Sequence, residues 1–575
     1  MTTTVEHHGD RQPAAGVPRD VPAKVRSRRS MLALAAVESG RLLRHPAVLA
    51  ATALSVWLLW RWGRGTVPVL HYADIATQFP LAPLAAAALL AANLAVLRPH
   101  RDGAVDLYDA TRLSPARRTL AHLLSVLPLA ALGGVLVAAD LAWLAGAPGS
   151  SGTPHIAEAA TGPAMVVLAG FLGVALGRFW RSVALAPLVL VVLAIGSLTL
   201  ADLYVGGHDG RPWVWLGTLL RPVTIDPPPA ALLGRPATWH LVYLLGAAVV
   251  LGALAVWRSQ AQARARRRTQ AIPGAVLVAA LAVTTAAAVL QTRPTSPALV
   301  ARRLAAASNP ASALVCQRRG PAVYCVFPGF EPQIGLWEPT VRAVLAGVPP
   351  ATAARAEPVT VAQRIGWHRL IEEEGPDGLP DGGNLPGGAP PAQPGGPVAP
   401  VGTVWTLNSQ ARLATNVAAR LIEQSGTAVP SSGELPNPGP GLKPAPGANP
   451  DPGPEPSAGD IGCGARGAVA LWLAAQASPH AAEGLRQAFT HAPSEFETWA
   501  LPNDNDIDDP WWSVRAGRFA LTLLERPGDQ VTQTLWRNWD LVTSSTTSLE
   551  RLGELVGVQP SPGPAPTPDI GGPVC

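Results

Sequence analysis

Three aspartates in the C-terminal part of the chain have the spacing of metal ligands. Asp504, Asp506 and Asp508 stand where the first three ligands of a calcium-binding loop would be. That loop also needs a glycine at its sixth position and a glutamate at its twelfth, where this chain has Asp509 and Arg515. The pattern therefore indicates a solvated acidic loop, and no metal site is predicted.

Sequence motifs of common enzyme classes are absent from this chain. A nucleotide-binding P-loop needs a glycine-rich turn followed by Lys-Ser or Lys-Thr. The chain has two lysines, Lys24 in PAKVRS and Lys443 in GLKPAP, and neither has that context. There is also no H-E-x-x-H, no G-x-S-x-G and no paired C-x-x-C. We predict that this chain is not an enzyme, needs no cofactor and does not itself hydrolyse ATP.

All four cysteines lie in the second half of the chain. Cys316 and Cys325 flank a turn in the stretch ALVCQRRGPAVYCVFPGF, which predicts two short strands around that turn. A disulfide across this hairpin is predicted, and two buried free thiols are the alternative. Whether Cys463 pairs with Cys575 is left open, because Cys575 ends a Pro-rich tail.

The segments around these residues have the composition of a membrane protein. Only 14% of the residues are charged and the mean hydropathy is +0.21, whereas soluble domains carry about 25% charged residues. Residues 30–44 mix apolar and charged positions, which predicts a helix lying along the membrane surface. Seven apolar runs have roughly the length of a transmembrane helix. They are Pro46–Trp60, Phe79–Leu97, Ala121–Leu144, Pro163–Phe179, Val183–Leu203, His240–Trp257 and Ile272–Leu290.

Arginines mark alternate ends of these runs. They are abundant before the first run, after the second, between the fourth and fifth, and after the sixth. By the positive-inside rule these segments face the cytoplasm. The N-terminus is then cytoplasmic, and everything after about residue 292 lies outside the cell membrane, where the cysteines can form disulfides. The net charge of +5 thus reflects orientation, and the predicted partner is lipid, not nucleic acid.

The loop between the second and third runs, residues 98–120, contains a candidate docking element. Its middle can form a short amphipathic helix, with Leu107 and Tyr108 beside Asp106 and Asp109. Such a helix can dock into a groove on a partner protein. The alternative is an ordinary charged connecting loop.

Several segments resemble type-2 ABC exporter permeases. The run from Glu38 to Pro46, ESGRLLRHP, resembles the interfacial helix of that family. The runs Arg101–Tyr108 and Arg117–Thr119 resemble the first cytoplasmic loop of actinobacterial members, and Trp213–Ile225 resembles the short outer re-entrant segment. The resemblance covers about residues 30–260.

This resemblance implies roles for particular residues. Glu38, Arg41 and Arg44 would belong to the interfacial helix. The loop residues Asp106, Leu107, Tyr108 and Asp109 would form the coupling helix that contacts a separate ATPase subunit. A second permease subunit, identical or different, would complete the pathway.

The chain departs from the family pattern after its sixth run, because the family core has six spans and a cytoplasmic C-terminus. The sequence therefore predicts an α-helical multi-pass membrane protein of about seven spans, followed by an extracytoplasmic, mixed but mostly helical region with Pro/Gly-rich linkers. Strands are predicted only at the cysteine hairpin and at 401–407. The predicted organisation is a disordered tail (1–29), a transmembrane domain (30–291), extracytoplasmic regions (292–374, 401–426 and 461–557), linkers (375–400 and 427–460) and a Pro-rich tail (558–575).

The sequence is compatible with two functions. The first is a permease subunit of an ABC exporter, which moves an unknown substrate and is driven by a separate ATPase. The second is a membrane-anchored extracytoplasmic protein that binds a ligand or acts as a sensor.

Overall fold

The computed structural model describes most of the chain and is predominantly helical. The described residues are 23–63, 65–106, 113–205, 215–217, 227–262, 267–365, 398–426, 463–492, 498–499 and 512–561. The predicted linkers 375–400 and 427–460 fall outside them, apart from residues 398–400.

The N-terminal half forms a helical bundle. Its helices are α1 (Ala23–Leu43), α2 (Pro46–Trp62), α3 (Leu70–Ala76), α4 (Gln78–Arg101), α5 (Pro115–Ala145), α6 (Ile156–Ala159), α7 (Thr161–Phe179), α8 (Leu185–Val205), α9 (Ala230–Leu233), α10 (Ala237–Gln262), α11 (Arg267–Gln291) and α12 (Pro297–Ser308). Helices α4, α5, α7 and α10 pack against one another in its centre, and α11 packs on α10.

The bundle has the helix lengths of a membrane protein. Five apolar helical segments are long enough to cross a membrane. They are Leu70–Arg101, Pro115–Ala145, Ile156–Phe179, Ala237–Ala261 and Ala271–Gln291. A sixth candidate arises if Arg28–Leu43 and Pro46–Trp62 form one span bent by 60°. The chain is therefore a multi-pass helical membrane protein with five or six candidate spans among the described residues. The fifth predicted run, Val183–Leu203, falls in α8, whose apolar part in the described residues is the shorter Leu185–Ser197.

Glycines allow α7 to approach its neighbours closely. A Cβ atom on Gly173 would lie 2.2 Å from the backbone oxygen of Leu89 in α4, and one on Gly170 would lie 2.4 Å from Val126 in α5. Real Cβ atoms essentially never come within 3.0 Å of such neighbours. The Asn93 side-chain amide donates a hydrogen bond to the Gly173 carbonyl at 3.3 Å. The core of the bundle thus depends on backbone-to-backbone approach, as is typical of membrane helices.

Helix α1 packs on the bundle and turns sharply into α2. Its buried face carries Ala35, Glu38 and Leu42, and it packs mainly against α5. The turn follows from Pro46, which occupies the first turn of α2 and has no backbone N–H to continue the preceding helix. The His45 side chain caps the new helix by accepting a hydrogen bond from the Ala47 N–H at 3.3 Å.

The C-terminal half forms a separate α/β core. Its elements are β1 (Val315–Arg319), β2 (Ala322–Val326), α13 (Ile334–Ala346), α14 (Pro350–Arg355), β3 (Val359–Gln363), β4 (Val398–Val401), α15 (Leu407–Gly426), α16 (Gly464–Gln476), α17 (Pro479–His491), β5 (Thr498–Trp499), β6 (Trp512–Ser513), α18 (Val514–Leu524), α19 (Gly528–Arg537), α20 (Trp539–Val542) and α21 (Leu549–Val556). The main sheet has the order β1-β2-β3-β4, with β1 and β2 antiparallel and the other pairs parallel. Buried residues from all the larger segments share one hydrophobic cluster.

The sheet differs from the predicted strands in two respects. No strand is predicted from the sequence at β3. The strand predicted at 401–407 is wrong in its bounds, because β4 ends at Val401. Both strands lie in parallel pairings, and β3 is buried along most of its length. Parallel strands read as continuous apolar runs without the alternation that reveals a strand in sequence. The predicted hairpin is confirmed as β1 and β2, with Cys316 and Cys325 directly opposite each other.

Candidate functional site

The predicted ATPase-contact residues lie at the edge of what the structure describes. Helix α4 ends at Arg101, and the loop that follows is described as far as Asp106, whose side chain is exposed. Leu107, Tyr108 and Asp109 fall outside the described residues. Their role as a docking helix therefore stays a prediction.

The predicted interfacial-helix residues differ in their environments. Glu38 is almost fully buried, at 1% exposure. Its carboxylate accepts hydrogen bonds from Arg41 at 2.8 Å and from Arg98, at the end of α4, at 3.0 and 3.1 Å. Arg44 is exposed. The Glu38 ion pairs therefore connect α1 to Arg98, the first residue of the loop 98–120.

Arginines gather around this end of the bundle, which we call the arginine-rich end. Arg98, Arg118 and Arg178 come from α4, α5 and α7, and all three act electrostatically on the buried His122. Arg258, near the end of α10, stacks over the Phe179 ring at 5.9 Å from its centroid. The same end of α4, α5, α7 and α10 is thus strongly cationic.

The opposite end of the bundle holds a buried group of acids that the sequence analysis does not predict. Asp74 in α3 accepts hydrogen bonds from the Ile75 N–H at 2.7 Å and from the His155 N–H at 2.6 Å. The carboxyl group of Glu158 in α6 acts electrostatically on Asp74, and we call these two residues the acid pair. Glu158 pairs in turn with Arg235 at 3.1 Å.

A buried histidine lies beside this acid pair. The Nε2 atom of His71 is 2.9 Å from the Pro228 carbonyl oxygen. A carbonyl only accepts, so Nε2 carries the proton. The Nδ1 atom is buried and has no partner in the described part of the chain. The His71 ring meets the ring of Phe330 edge-on, with centroids 5.8 Å apart, and Phe330 belongs to the C-terminal core.

The C-terminal domain rests on this acidic end through the loops that flank it. The Val67 N–H donates to the Trp405 carbonyl at 2.9 Å, and the Gly152 N–H donates to the Gly329 carbonyl at 2.9 Å. The buried side chain of Gln333 donates to Ser151 Oγ at 3.2 Å. Val69 of the bundle, which precedes α3, belongs to the hydrophobic core of the C-terminal domain. The domain is therefore seated on the bundle, at the end opposite the arginines.

Two cavities border α5. One of about 730 Å³ lies between α5, α10 and α11 near the arginine-rich end, with Leu120, Phe171 and Arg117 among its lining residues. The other, of about 590 Å³, lies between α5, α7 and α10 and is lined almost wholly by Ala, Val, Leu and Pro. Apolar walls of this kind suit a lipid chain or another apolar molecule.

The predicted disulfide is confirmed, because Cys316 and Cys325 are bonded at an S–S distance of 2.06 Å. Cys463 is also disulfide-bonded, while Cys575 lies outside the described residues. The aspartates 504, 506 and 508 lie outside them as well. In the described part of the chain no group of three or more His, Cys, Asp or Glu residues is placed to hold a metal.

Sequence reasoning misses the acid pair because its members are far apart in the chain. Asp74 precedes one of the predicted apolar runs and Glu158 precedes another, and each alone looks like an ordinary polar residue near a helix end. The one local signal is that each has strongly apolar sequence on its C-terminal side. Comparison with known proteins adds no assignment: no protein-family model, no curated protein and no solved structure matches this chain.

Proposed function

We propose that this chain is the permease subunit of an ABC exporter in the cell membrane. It would move a substrate of unknown identity, and a separate ATPase subunit would supply the energy. The observation that carries the proposal is the Glu38 ion-pair cluster, in which α1 is joined to Arg98 at the start of the loop 98–120. The sequence resemblance assigns these same two segments to the interfacial helix and the coupling loop.

The cluster gives this assignment a physical basis. A movement of the loop 98–120 would be transmitted through Arg98 to Glu38, because a buried carboxylate separated from its arginine is costly. Helix α1 leads directly into α2 through the bend at Pro46. Force applied by a partner to the loop would therefore reach two spans at once, α2 and α4.

The proposed topology has seven spans, a cytoplasmic N-terminus and an extracytoplasmic C-terminal domain. Two findings support it. The arginine-rich end and the C-terminal domain lie at opposite ends of the bundle. Disulfides occur in the C-terminal domain, and disulfides persist in oxidising compartments. A second permease subunit and membrane lipids are the other partners in this proposal.

The direct test is purification of the tagged full-length protein from its native membrane, followed by identification of bound proteins by mass spectrometry. An ATPase with P-loop and ABC signature motifs should co-purify. Combined alanine substitution at 106–109 should reduce ATPase recovery about tenfold or more, since loss of interface anchors costs about 1–4 kcal/mol. Glu525→Ala, at an exposed site in the C-terminal domain, is the matched control and should leave recovery unchanged.

The second candidate function is a membrane-anchored ligand-binding or sensory protein. It is supported by the C-terminal domain, which has its own core and rests on the loops of the bundle. If no ATPase co-purifies with the wild-type protein, or if the 106–109 variant recovers it as well as the control, the permease assignment is wrong. The sensory candidate would then stand.

A further inference from the structure

Two arginines at the arginine-rich end have no counter-ion among the residues that the structure describes. Arg178 and Arg258, near the ends of α7 and α10, are both half-buried. In each, the Nε atom is fully buried and has no hydrogen-bond partner among the described residues. Neither arginine forms an ion pair in the described part of the chain, and the Arg258 guanidinium lies over the ring of Phe179.

The surroundings of Arg178 increase its need for an anion. Among the described residues, the charged group that acts on it is Arg118, which is a second cation. The neighbouring His122 lies among Arg98, Arg118 and Arg178, and its buried Nδ1 has no partner in the described residues. The buried carboxylate at this end, Glu38, already accepts hydrogen bonds from Arg41 and Arg98.

Clustered cations in a partly buried site are unfavourable unless an anion compensates them. Removing a guanidinium from water costs several kcal/mol, and a like charge nearby adds to that cost. Guanidinium groups bind phosphate oxygens in a forked, two-bond geometry. A phosphate group has enough acceptor oxygens for two arginines together, whereas a single carboxylate has fewer.

The position of the site along the helices indicates the source of the phosphate. Phe179 ends α7, and the next residue, Trp180, is 54% exposed, with the two rings 5.5 Å apart. Exposed tryptophan beside the end of a span marks the level of lipid headgroups. We propose that Arg178 and Arg258, assisted by Arg118, form a binding site for the phosphate group of an anionic lipid. The shared chemistry is a phosphate anion, and free phosphate is the second source. This proposal does not depend on the permease function.

The test uses the full-length protein in a neutral detergent. The probes are dioctanoyl-phosphatidate, inorganic phosphate and dioctanoyl-phosphatidylcholine, each titrated while binding is measured by calorimetry. Saturable binding of phosphatidate alone would assign the site to a lipid headgroup. Saturable binding of inorganic phosphate, with or without phosphatidate, would assign it to the phosphate anion. Absence of selective binding for either over phosphatidylcholine overturns the proposal.

Variants connect the binding to these side chains. Arg178→Gln and Arg258→Gln should each weaken binding about tenfold, as expected for loss of one charge-assisted hydrogen bond. Arg181→Gln is the matched control, because Arg181 is exposed in the link that follows α7, and it should bind as the wild type does. Unchanged affinity in both glutamine variants contradicts the site.

A measurement on the wild type covers the case in which a variant fails to fold. Phenylglyoxal modifies arginine side chains, and the modified positions can be read by peptide mass spectrometry. The bound probe should protect Arg178 and Arg258 but not Arg181. Equal modification with and without the probe overturns the proposal.

Discussion

At the scale of single residues, the carboxylate of Glu38 is held by two arginines. Its side chain is 2% exposed and pairs with Arg98, at 34% exposure, and Arg41, at 55% exposure. Most of the electrostatic gain should come from Arg98, because the more exposed Arg41 is screened by solvent. The sequence resemblance selects Glu38 and Arg41 but not Arg98, which is 60 residues away.

Replacing Glu38 by glutamine should destabilise the protein by about 1–3 kcal/mol, because Arg98 would keep its charge without a partner. The measurement is a denaturant titration of the purified protein. Glu554→Gln is the matched control, because Glu554 pairs with Arg551 on the open surface, at 65% and 57% exposure. It should shift stability by less than about 1 kcal/mol. Equal stability of the two variants would show that the Glu38 pairs do not stabilise the fold.

At the scale of elements, the association of α4 and α7 rests on small residues. Gly173 lets the backbones of the two helices touch at Leu89, and Gly177 leaves room for the side chain of Val96. Membrane helices gain little from burying apolar surface in each other, so close van der Waals packing has to hold them together. A methyl group at such a point separates the helices.

Gly173→Ala should destabilise the bundle by about 1–3 kcal/mol, because its Cβ atom has no space beside the Leu89 carbonyl. Gly196→Ala in α8 is the control, since nothing lies within 4 Å of that Cβ position. Alanine favours a helix over glycine by about 1 kcal/mol, so this variant should be as stable as the wild type or more so. The thermal midpoint of each protein in the same detergent compares them. If the Gly173→Ala and Gly196→Ala proteins have the same thermal midpoint, tight packing at Gly173 is excluded.

At the scale of the whole molecule, the bundle has two chemically different ends. Arginines occupy one end, and the other end carries the Asp74–Glu158 pair beneath the C-terminal domain. Asp74 accepts a hydrogen bond from His155, which ends the loop between α5 and α6. The same loop contacts the C-terminal domain through Ser151 and Gly152. The domain is therefore part of a continuous structure with the spans.

The two ends should face opposite sides of the membrane. Single cysteines are introduced at three exposed sites: Asp102 at the arginine-rich end, Ile156 near the acid pair, and Glu554 on the C-terminal domain. A membrane-impermeant maleimide added to intact cells should label the Ile156→Cys and Glu554→Cys proteins. It should label Asp102→Cys only after the cells are permeabilised.

The wild-type protein gives the background of this labelling experiment, because Cys316, Cys325 and Cys463 are all disulfide-bonded. Labelling of Asp102→Cys alone in intact cells would mean that the orientation is inverted. Labelling of Asp102→Cys together with Glu554→Cys would mean that the two ends do not lie across the membrane from each other.

The sequence by itself determines the membrane character of this protein, most of its spans and the cysteine hairpin. Span length and hairpin alternation are local properties, set by bilayer thickness and by strand geometry. Tertiary structure alone decides which distant residues meet. The Glu38–Arg98 pair, the parallel strands β3 and β4 and the acid pair all join segments that no local period connects. Their partners are set by packing across the whole fold. For this reason the sequence predicts where the helices are. Which charged groups pair with each other is decided only when the helices pack together.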